Sequence, residues 1–352
     1  MSSKRAMKPS WELDPERLRK AVLRRIERSS EIQADLAFSA IPALFEHYAG
    51  RCEALFELAA RPLEGQQRAH FRNLLGQALK TGFEASAHAK VVLRVRSDPA
   101  PRQTISYEIG IQTREIADVY ATWLRTPDSP YFGAHADAKV LHVARELRDP
   151  NARALDIGAG TGRNALPLAK LGLTVDAVEL TPGFVEKLRD AAAAADLRVN
   201  AIEGDAFDPE LALPPGEYAL VVASEVASSH LRDGDDLREF LEFAASKLKP
   251  GGVLVCNVFI ARAGYSPDLA VRQAAPSVLS TIFSDADLAQ AQSGLPLSLV
   301  SDESCLEFEK AHLPGEAWPP TAWFESWASG NNLFDLTGVG PCELRWLVYR
   351  KT

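Results

Sequence analysis

The chain has 352 residues, of which 46% are hydrophobic, enough for a sizeable core in one large domain or two. Its formal net charge of −8 argues against a nucleic-acid backbone as the main partner, since such binding is built on basic surface. The four cysteines are scattered without C-x-x-C spacing, which indicates free thiols in a reducing compartment and predicts no metal site.

The first 18 residues lack the apolar segment of a signal peptide, and no run of about 18 apolar residues occurs anywhere. We therefore predict a cytoplasmic protein without a membrane partner.

Residues 14 to about 88 show helical patterning, and Asp14 followed by Pro15 forms a good helix start. In the first helix the apolar residues recur on one face, at Leu18, Val22 and Ile26. Arginines and lysines occupy the remaining surface of this helix. That basic face could bind an acidic partner, but the glutamates mixed into it favour an ordinary solvated face.

Apolar residues alternate over 91–95 and 105–111, on either side of a proline-rich turn, and this predicts a β-hairpin near 91–111. Residues 1–130 are accordingly predicted to form a mainly helical N-terminal domain. This domain could cover the active site or form the interface of a homodimer.

From about residue 139 strands and helices alternate, which predicts an α/β fold with a doubly wound, mostly parallel sheet over residues 131–352. The predicted elements are helices at 139–148, 163–171, 182–195, 237–248 and 284–292, and strands ending near 157, 179, 203, 224, 259 and 348. An aromatic cap segment lies near 313–335. Its aromatic side chains could form the wall of an acceptor pocket, although packing as core is the commoner role: Trp318, Trp323, Phe324 and Trp327.

The stretch from Ala154 to Leu180 is one strand, glycine loop, helix and strand. Its glycines, at Gly158, Gly160 and Gly162, let the backbone turn sharply and lie against a ligand. Glu179 follows about 20 residues later, where an acidic side chain at a strand end can bind a ribose diol. The unit is therefore predicted to bind a nucleoside.

The loop has G-x-G-x-G spacing after Asp156, whereas dinucleotide sites usually have G-x-G-x-x-G. Leu155 to Gly162 resembles the first motif of the class I S-adenosylmethionine-dependent methyltransferases. The resemblance implies a Rossmann-like core and S-adenosyl-L-methionine as cofactor. It implies these cofactor-binding residues: Tyr131, Asp156, Gly158, Ala159, Gly160, Gly162, Asn164, Glu179, Leu180, Asp205 and Ala206.

Two of these assignments have structural alternatives. Asp205 could contact the adenine, as its place after the third strand favours, or could only form a turn before Phe207. Tyr131 could lie over the cofactor or belong to a packed loop.

Methyl transfer requires mainly that the acceptor be held close to the methyl group in a site without water, so catalytic residues could be few. His230 lies after the fourth strand, where a general base would be, or is simply a loop histidine. Glu225 could contact the methionine part of the cofactor, attract a cationic acceptor or have a structural role.

The acceptor class is narrowed by missing motifs. Ser224-Glu225-Val226 stands where DNA and RNA amino-methyltransferases have an Asn/Asp-Pro-Pro-aromatic run, so we expect a small-molecule acceptor. Two alternatives stay open: an NAD-type oxidoreductase, and a protein that binds the cofactor as a scaffold without catalysis.

Overall fold

The structure is a computed structural model, and it describes residues 14–27, 31–97, 104–113, 116, 120, 133–147, 149, 151–334, 336 and 338–352. The chain divides into two compact units, residues 1–113 and 114–352. The sequence places the boundary between residues 130 and 131. Residues 121–132 lie outside the described part of the chain, so that placement stays a prediction.

In its described residues, the N-terminal unit combines three α-helices with one small sheet. Its elements in chain order are α1 (Pro15–Glu27), β1 (Gln33–Ser39), α2 (Phe45–Leu58), α3 (Gly65–Ala85), β2 (Lys90–Ser97) and β3 (Ile105–Gln112). The strands are antiparallel in the order β1-β2-β3. The predicted hairpin is β2 with β3, in which Ser97 lies opposite Ile105.

The prediction that residues 14 to 88 are helical throughout is wrong at β1. This strand is rich in alanine, and alanine favours helices. Leu36 and Phe38 alternate with exposed neighbours over only a few residues, and they pair with Leu93 and Val91 of β2. Because the pairing partner lies more than 50 residues away, tertiary context decides the conformation and local propensity does not.

Aromatic packing forms the core of this unit. The rings of Phe56, Phe71 and Tyr107 meet edge to face, with centroids 5.3 to 5.6 Å apart. Gly82 allows α3 to pack closely, because a Cβ at this position would lie 2.8 Å from the Cβ of Ala40. The packing of the helices on the sheet therefore depends on the large aromatic rings and on the lack of a side chain at Gly82.

The C-terminal unit is an α/β domain. Its strands are β4 (Arg153–Ile157), β5 (Thr174–Glu179), β6 (Val199–Glu203), β7 (Tyr218–Ala223), β8 (Leu248–Ala261), β9 (Ile282–Phe283), β10 (Leu297–Ser304) and β11 (Cys342–Lys351). Its helices are α4 (Ala138–Glu146), α5 (Ala165–Lys170), α6 (Pro182–Ala194), α7 (Ala227–His230), α8 (Gly234–Lys247), α9 (Leu269–Ala274), α10 (Asp285–Gln292), α11 (Cys305–His312), α12 (Phe324–Ala328) and α13 (Asn331–Phe334).

These strands form one sheet in the order β10-β11-β8-β7-β4-β5-β6, with the short β9 paired to β8. The pairs from β8 to β6 are parallel, and β11 is antiparallel to both of its neighbours. This confirms the predicted doubly wound, mostly parallel, Rossmann-like sheet. The order reverses between β4 and β7, and ligands of open parallel sheets bind at such a switch point.

Local sequence signals agree with most of these bounds. Every residue of β7 is buried, as expected for a central strand covered on both faces. Ser284 forms a capping box with Asp287 at the start of α10. Pro182 occupies the first turn of α6, where proline is well tolerated, and the side chain of Thr181 before it makes no capping hydrogen bond.

Among the residues that the structure describes, no helix is both long enough and apolar enough to cross a membrane.

Candidate functional site

A cavity of about 680 Å³ opens at the carboxyl ends of β4, β5, β6 and β7, at the switch point of the sheet. Most of the predicted site residues line it: Asp156, Gly158, Ala159, Gly160, Asn164, Glu179, Leu180, Asp205, Ala206, Glu225 and His230. Tyr131 lies outside the described residues. The sheet therefore brings together residues that are up to 74 positions apart in the chain.

The glycine loop needs its glycines for different reasons. Gly158, Gly160 and Gly162 have φ angles of +67°, +55° and +95°, in the region that favours glycine. A Cβ on Gly158 would lie 2.6 Å from the side chain of Val226. A Cβ on Gly162 would collide with Leu188, and this glycine is absent from the cavity lining, so its role here is packing beneath the loop.

Glu179 ends β5 with its carboxylate buried and held in place. One carboxylate oxygen accepts a hydrogen bond from the backbone N–H of Gly160 at 2.9 Å, and the other accepts from the N–H of Thr181 at 2.7 Å. These bonds connect the glycine loop to β5. Each oxygen has a second lone pair, so the carboxylate can also accept from two adjacent hydroxyls.

Asp156 presents a buried carboxylate with unused capacity. The residue is 2% exposed, and its Oδ2 accepts no hydrogen bond from any residue that the structure describes. Burial raises the pKa of Asp156 to about 7, Arg163 opposes the rise and Asp137 adds to it. A buried carboxylate oxygen without a donor indicates a site for a cationic or N–H group of a ligand.

A buried ionic network surrounds this carboxylate. The guanidinium of Arg163 donates to Asp137 and, at 2.8 Å, to Glu225, and its side chain is 10% exposed. Asn164 donates to the other oxygen of Asp137 at 2.9 Å. Burial lowers the pKa of Arg163, but the two carboxylates raise it further, so the guanidinium stays charged. The network joins the start of α4, the glycine loop and the end of β7.

Glu225 has a backbone conformation that is rare for its residue type. Its φ is +62°, and its N–H donates to the side chain of Asn257 at 2.7 Å. Non-glycine residues in this region cost about 1 to 3 kcal/mol and occur mostly where the surrounding structure fixes them. Burial raises the pKa of the carboxyl group, and Arg163 counteracts that rise. Glu225 therefore combines a structural ion pair with a place in the cavity wall.

His230 closes the four-residue helix α7 and also faces the cavity. Its Nε2 lies 3.1 Å from the hydroxyl of Tyr120, and the two rings meet edge to face. Burial raises the pKa of Tyr120, and Glu225 and Glu179 add to the rise. Our sequence analysis missed Tyr120. Ile116 and Tyr120 both line the cavity, and their spacing of four positions, which places two residues on one face of a helix, was the signal in the sequence.

Asp205 forms the predicted turn and also lies in the cavity wall, and its contact with adenine stays a prediction. Its side chain accepts from the N–H of Phe207 at 2.9 Å and so forms a turn, and the same residue is exposed in the cavity wall. The neighbouring Ala206 is buried. The turn therefore places backbone and side-chain groups of this segment beside the cavity.

The aromatic cap segment is divided between the cavity and the core. Trp323 and Trp327 line the cavity, and the indole N–H of Trp327 donates to the carbonyl of Leu279 at 3.1 Å. Trp318 and Phe324 pack edge to face at 5.8 Å and contribute to the hydrophobic core. Half of the predicted aromatic set thus faces the site.

Comparison with known proteins agrees with this geometry. Residues 154–252 match a family model described as a methyltransferase domain. The ubiquinone biosynthesis O-methyltransferase of Xanthomonas campestris pv. campestris (strain B100) is 30% identical over 163 residues, which are 45% of this chain and 64% of that protein. The demethylmenaquinone methyltransferase of Clavibacter sepedonicus is 33% identical over 140 residues, 38% of this chain and 54% of that protein.

The match thus spans less than two thirds of the length of these curated relatives. Among solved structures, a putative sarcosine dimethylglycine methyltransferase from Galdieria sulphuraria aligns with a TM-score of 0.48 and 15% identity, over 68% of this chain and 99% of that one.

The family match confirms the resemblance on which the cofactor assignment rests. The residues of the cavity fit that cofactor, because they offer a fixed carboxylate for a diol and a buried carboxylate oxygen for a cation. S-adenosyl-L-methionine carries both groups. Residues 154–252 therefore match a methyltransferase domain, and the cavity at this part of the sheet fits S-adenosyl-L-methionine as cofactor.

Proposed function

We propose that this protein transfers a methyl group from S-adenosyl-L-methionine to a small-molecule acceptor by in-line displacement. The observation that carries the proposal is the carboxylate of Glu179, which the N–H groups of Gly160 and Thr181 fix at the cavity. Bound cofactor supplies an electrophilic methyl group on a positively charged sulfur. Neither the family match nor the cavity favours an NAD-type oxidoreductase or a scaffold without catalysis.

In the cofactor half of the cavity we assign these roles to most of the predicted residues. Glu179 binds the ribose hydroxyls, and the backbone of Gly158 to Gly160 lies against the cofactor. The buried carboxylate of Asp156 attracts the ammonium group, and the turn at Asp205 and Ala206 contacts the adenine. Asn164 acts through Asp137, which it holds by two hydrogen bonds.

The acceptor half lies between the end of β7 and the aromatic cap segment. Trp323, Trp327 and Leu279 provide an apolar wall, and His230 and Glu225 provide polar groups. Apolar walls with a few polar groups are typical of small-molecule sites. We propose an aromatic acceptor with a hydroxyl group, which is supported by these indole rings and by relatives named as O-methyltransferases.

Two further assignments belong to this proposal. The N-terminal unit could form a homodimer, which sedimentation analysis of the intact chain would test. We also keep the cytoplasmic localisation as a prediction. It is supported by the four cysteines, all of which are buried and free of disulfides.

The proposal predicts that Glu179→Ala weakens the binding of S-adenosylmethionine and of its demethylated product by about 30- to 150-fold. This corresponds to about 2 to 3 kcal/mol, the range for charge-assisted hydrogen bonds to a buried group. Titration calorimetry measures the effect. Glu186→Ala removes an exposed carboxylate of α6 and should leave affinity unchanged. Wild-type affinity in Glu179→Ala would rule out the ribose assignment.

Cofactor binding should also depend on pH through Asp156. Its pKa is raised to about 7 in the folded protein, so the carboxyl group is mostly protonated and uncharged below that pH. Affinity for S-adenosylmethionine should therefore rise between about pH 6 and pH 8, one pH unit on either side of the pKa. Asp156→Asn should remove much of that rise. Calorimetry at each pH tests this. An equally steep rise in the asparagine variant would assign the titration to another group, such as Glu309, whose pKa burial also raises to about 7.

A further inference from the structure

Helix α1 is amphipathic and exposed along its entire length. None of its 13 residues is buried, and the exposed fractions of Leu18, Val22 and Ile26 are 46%, 58% and 58%. A helix of this length is marginal in water, and helices in proteins gain most of their stability by packing an apolar face. Here that face stays open to solvent within the described part of the N-terminal unit. The arrangement indicates a surface that becomes covered when the protein binds a partner.

The distribution of side chains around α1 indicates which kind of partner. At about 100° per residue, Leu18, Val22 and Ile26 form one apolar stripe. Arg19 and Arg25 then lie about 60° to either side of Val22, one on each border of the stripe. Long basic side chains on the borders can lie along apolar surface while their charged groups reach polar headgroups. This pattern is typical of helices that lie in a membrane interface.

The charge of this segment is opposite to that of the rest of the chain. Between Pro15 and Glu27 there are five basic and two acidic residues, whereas the whole chain has a formal net charge of −8. The sequence ahead of α1 adds three basic residues, Lys4, Arg5 and Lys8, and two acidic ones, Glu12 and Asp14. An anionic surface would therefore attract this end of the chain and repel most of the remainder. Charge and apolar character coincide in one segment.

We propose that α1 binds the surface of an anionic lipid bilayer, with its axis in the interface plane and its apolar stripe in the acyl region. Nucleic acid would use the basic residues but leave the stripe exposed to water. A second copy of α1 would bring the arginine borders of two helices together, and like charges repel. A lipid surface with anionic headgroups satisfies both halves of the helix.

This inference revises our expectation of a protein without a membrane partner. That expectation rested on the lack of a spanning segment, and a helix in the interface does not need to span the bilayer. The inference is independent of the proposed methyl transfer, because binding to vesicles requires no turnover. A negative result for vesicle binding would therefore not contradict the proposed methyl transfer, and a negative result for methyl transfer would not contradict vesicle binding.

The test is cosedimentation of the intact chain with phosphatidylcholine vesicles that do or do not contain about 30 mol% phosphatidylglycerol. We expect partitioning at least about tenfold stronger on the anionic vesicles, and weaker at high salt because screening reduces the attraction. The double variant Leu18→Glu/Val22→Glu should lose that binding by at least about tenfold, since it places charges in the apolar stripe.

A matched control is Leu58→Glu, which adds a charge at a leucine of α2 that is 77% exposed. It should bind like the wild type, and circular dichroism should show that all variants fold. Equal binding of the wild type to both kinds of vesicle would overturn the proposal. So would equal binding by Leu18→Glu/Val22→Glu and Leu58→Glu. Sedimentation showing a dimer that only the double variant abolishes, without vesicle binding, would assign the stripe to a second copy instead.

Discussion

His230→Ala is expected to keep its affinity for S-adenosylmethionine and to lose between about 10²- and 10⁴-fold in turnover number, the range for general-base catalysis. The reason is the position of His230 in the acceptor half of the cavity, with Nε2 within hydrogen-bond reach of the Tyr120 hydroxyl. A hydroxyl acceptor has to lose its proton as the methyl group arrives. The neutral imidazole ring can accept that proton at this place.

The pH dependence separates this role from a structural one. Wild-type turnover should rise with pH as the ring becomes neutral, and His230→Ala should lose that rise. Tyr120→Phe removes the hydroxyl that contacts Nε2 and should lower turnover less than His230→Ala does. As a control, His312→Ala changes an exposed histidine of α11 and should leave turnover unaffected.

The measurement requires steady-state kinetics with a phenolic acceptor and calorimetry with the cofactor. A loss below about threefold in His230→Ala would show that proximity and exclusion of water are sufficient for the reaction, as an activated methyl donor permits. A parallel loss of cofactor affinity would instead identify His230 as a cofactor contact. Either result would remove the general-base role.

Most of the cofactor half could be predicted from sequence because its residues, apart from Asp205 and Ala206, lie in one contiguous unit. Gly158, Gly160 and Glu179 are separated by a single helix, so the spacing along the chain nearly determines their arrangement in space. The doubly wound sheet was predictable for a related reason. Each strand and helix repeats a local period, and the right-handed crossover rule leaves few ways to assemble them.

The acceptor half depends on contacts between distant segments, which no local pattern encodes. Tyr120 meets His230 across 110 positions, and Trp327 reaches Leu279 across 48. The sequence singled out four aromatic residues near 313–335 but could not say which of them face the site. That division is decided by how α12 packs on the sheet, where Phe324 points into the core and Trp323 into the cavity.

The ionic network around Arg163 was likewise invisible in the sequence. Its members come from the start of α4, the glycine loop and the end of β7, and each one alone resembles an ordinary surface residue. Their side chains are nevertheless nearly inaccessible: 6% exposed for Asp137, 10% for Arg163 and 17% for Glu225. Arg163 therefore provides positive charge for both carboxylates.

Arg163→Met is accordingly expected to lower the free energy of unfolding by about 3 to 5 kcal/mol, because breaking a buried ion pair leaves uncompensated charge. In a domain of this size that corresponds to a fall in Tm on the order of 10 °C, measured by thermal denaturation followed by circular dichroism. Lys249→Met is the control. The pair of Lys249 with Asp149 lies on the surface, so this substitution should cost less than about 1 kcal/mol.

The deficit of Arg163→Met should shrink as the pH falls. Without the guanidinium, nothing from Arg163 opposes the rise that burial causes in the pKa of Glu225, so its folded-state pKa moves further above the unfolded value. Stability from such groups is fully present below the unfolded pKa and is lost as pH rises through the folded one, so the variant should be weakest at neutral and alkaline pH. The triple variant Arg163→Met/Asp137→Asn/Glu225→Gln should recover much of the loss, because it removes the charges together. A cost for Arg163→Met no greater than that of Lys249→Met, without pH dependence, would show that the two carboxylates are stabilised without Arg163.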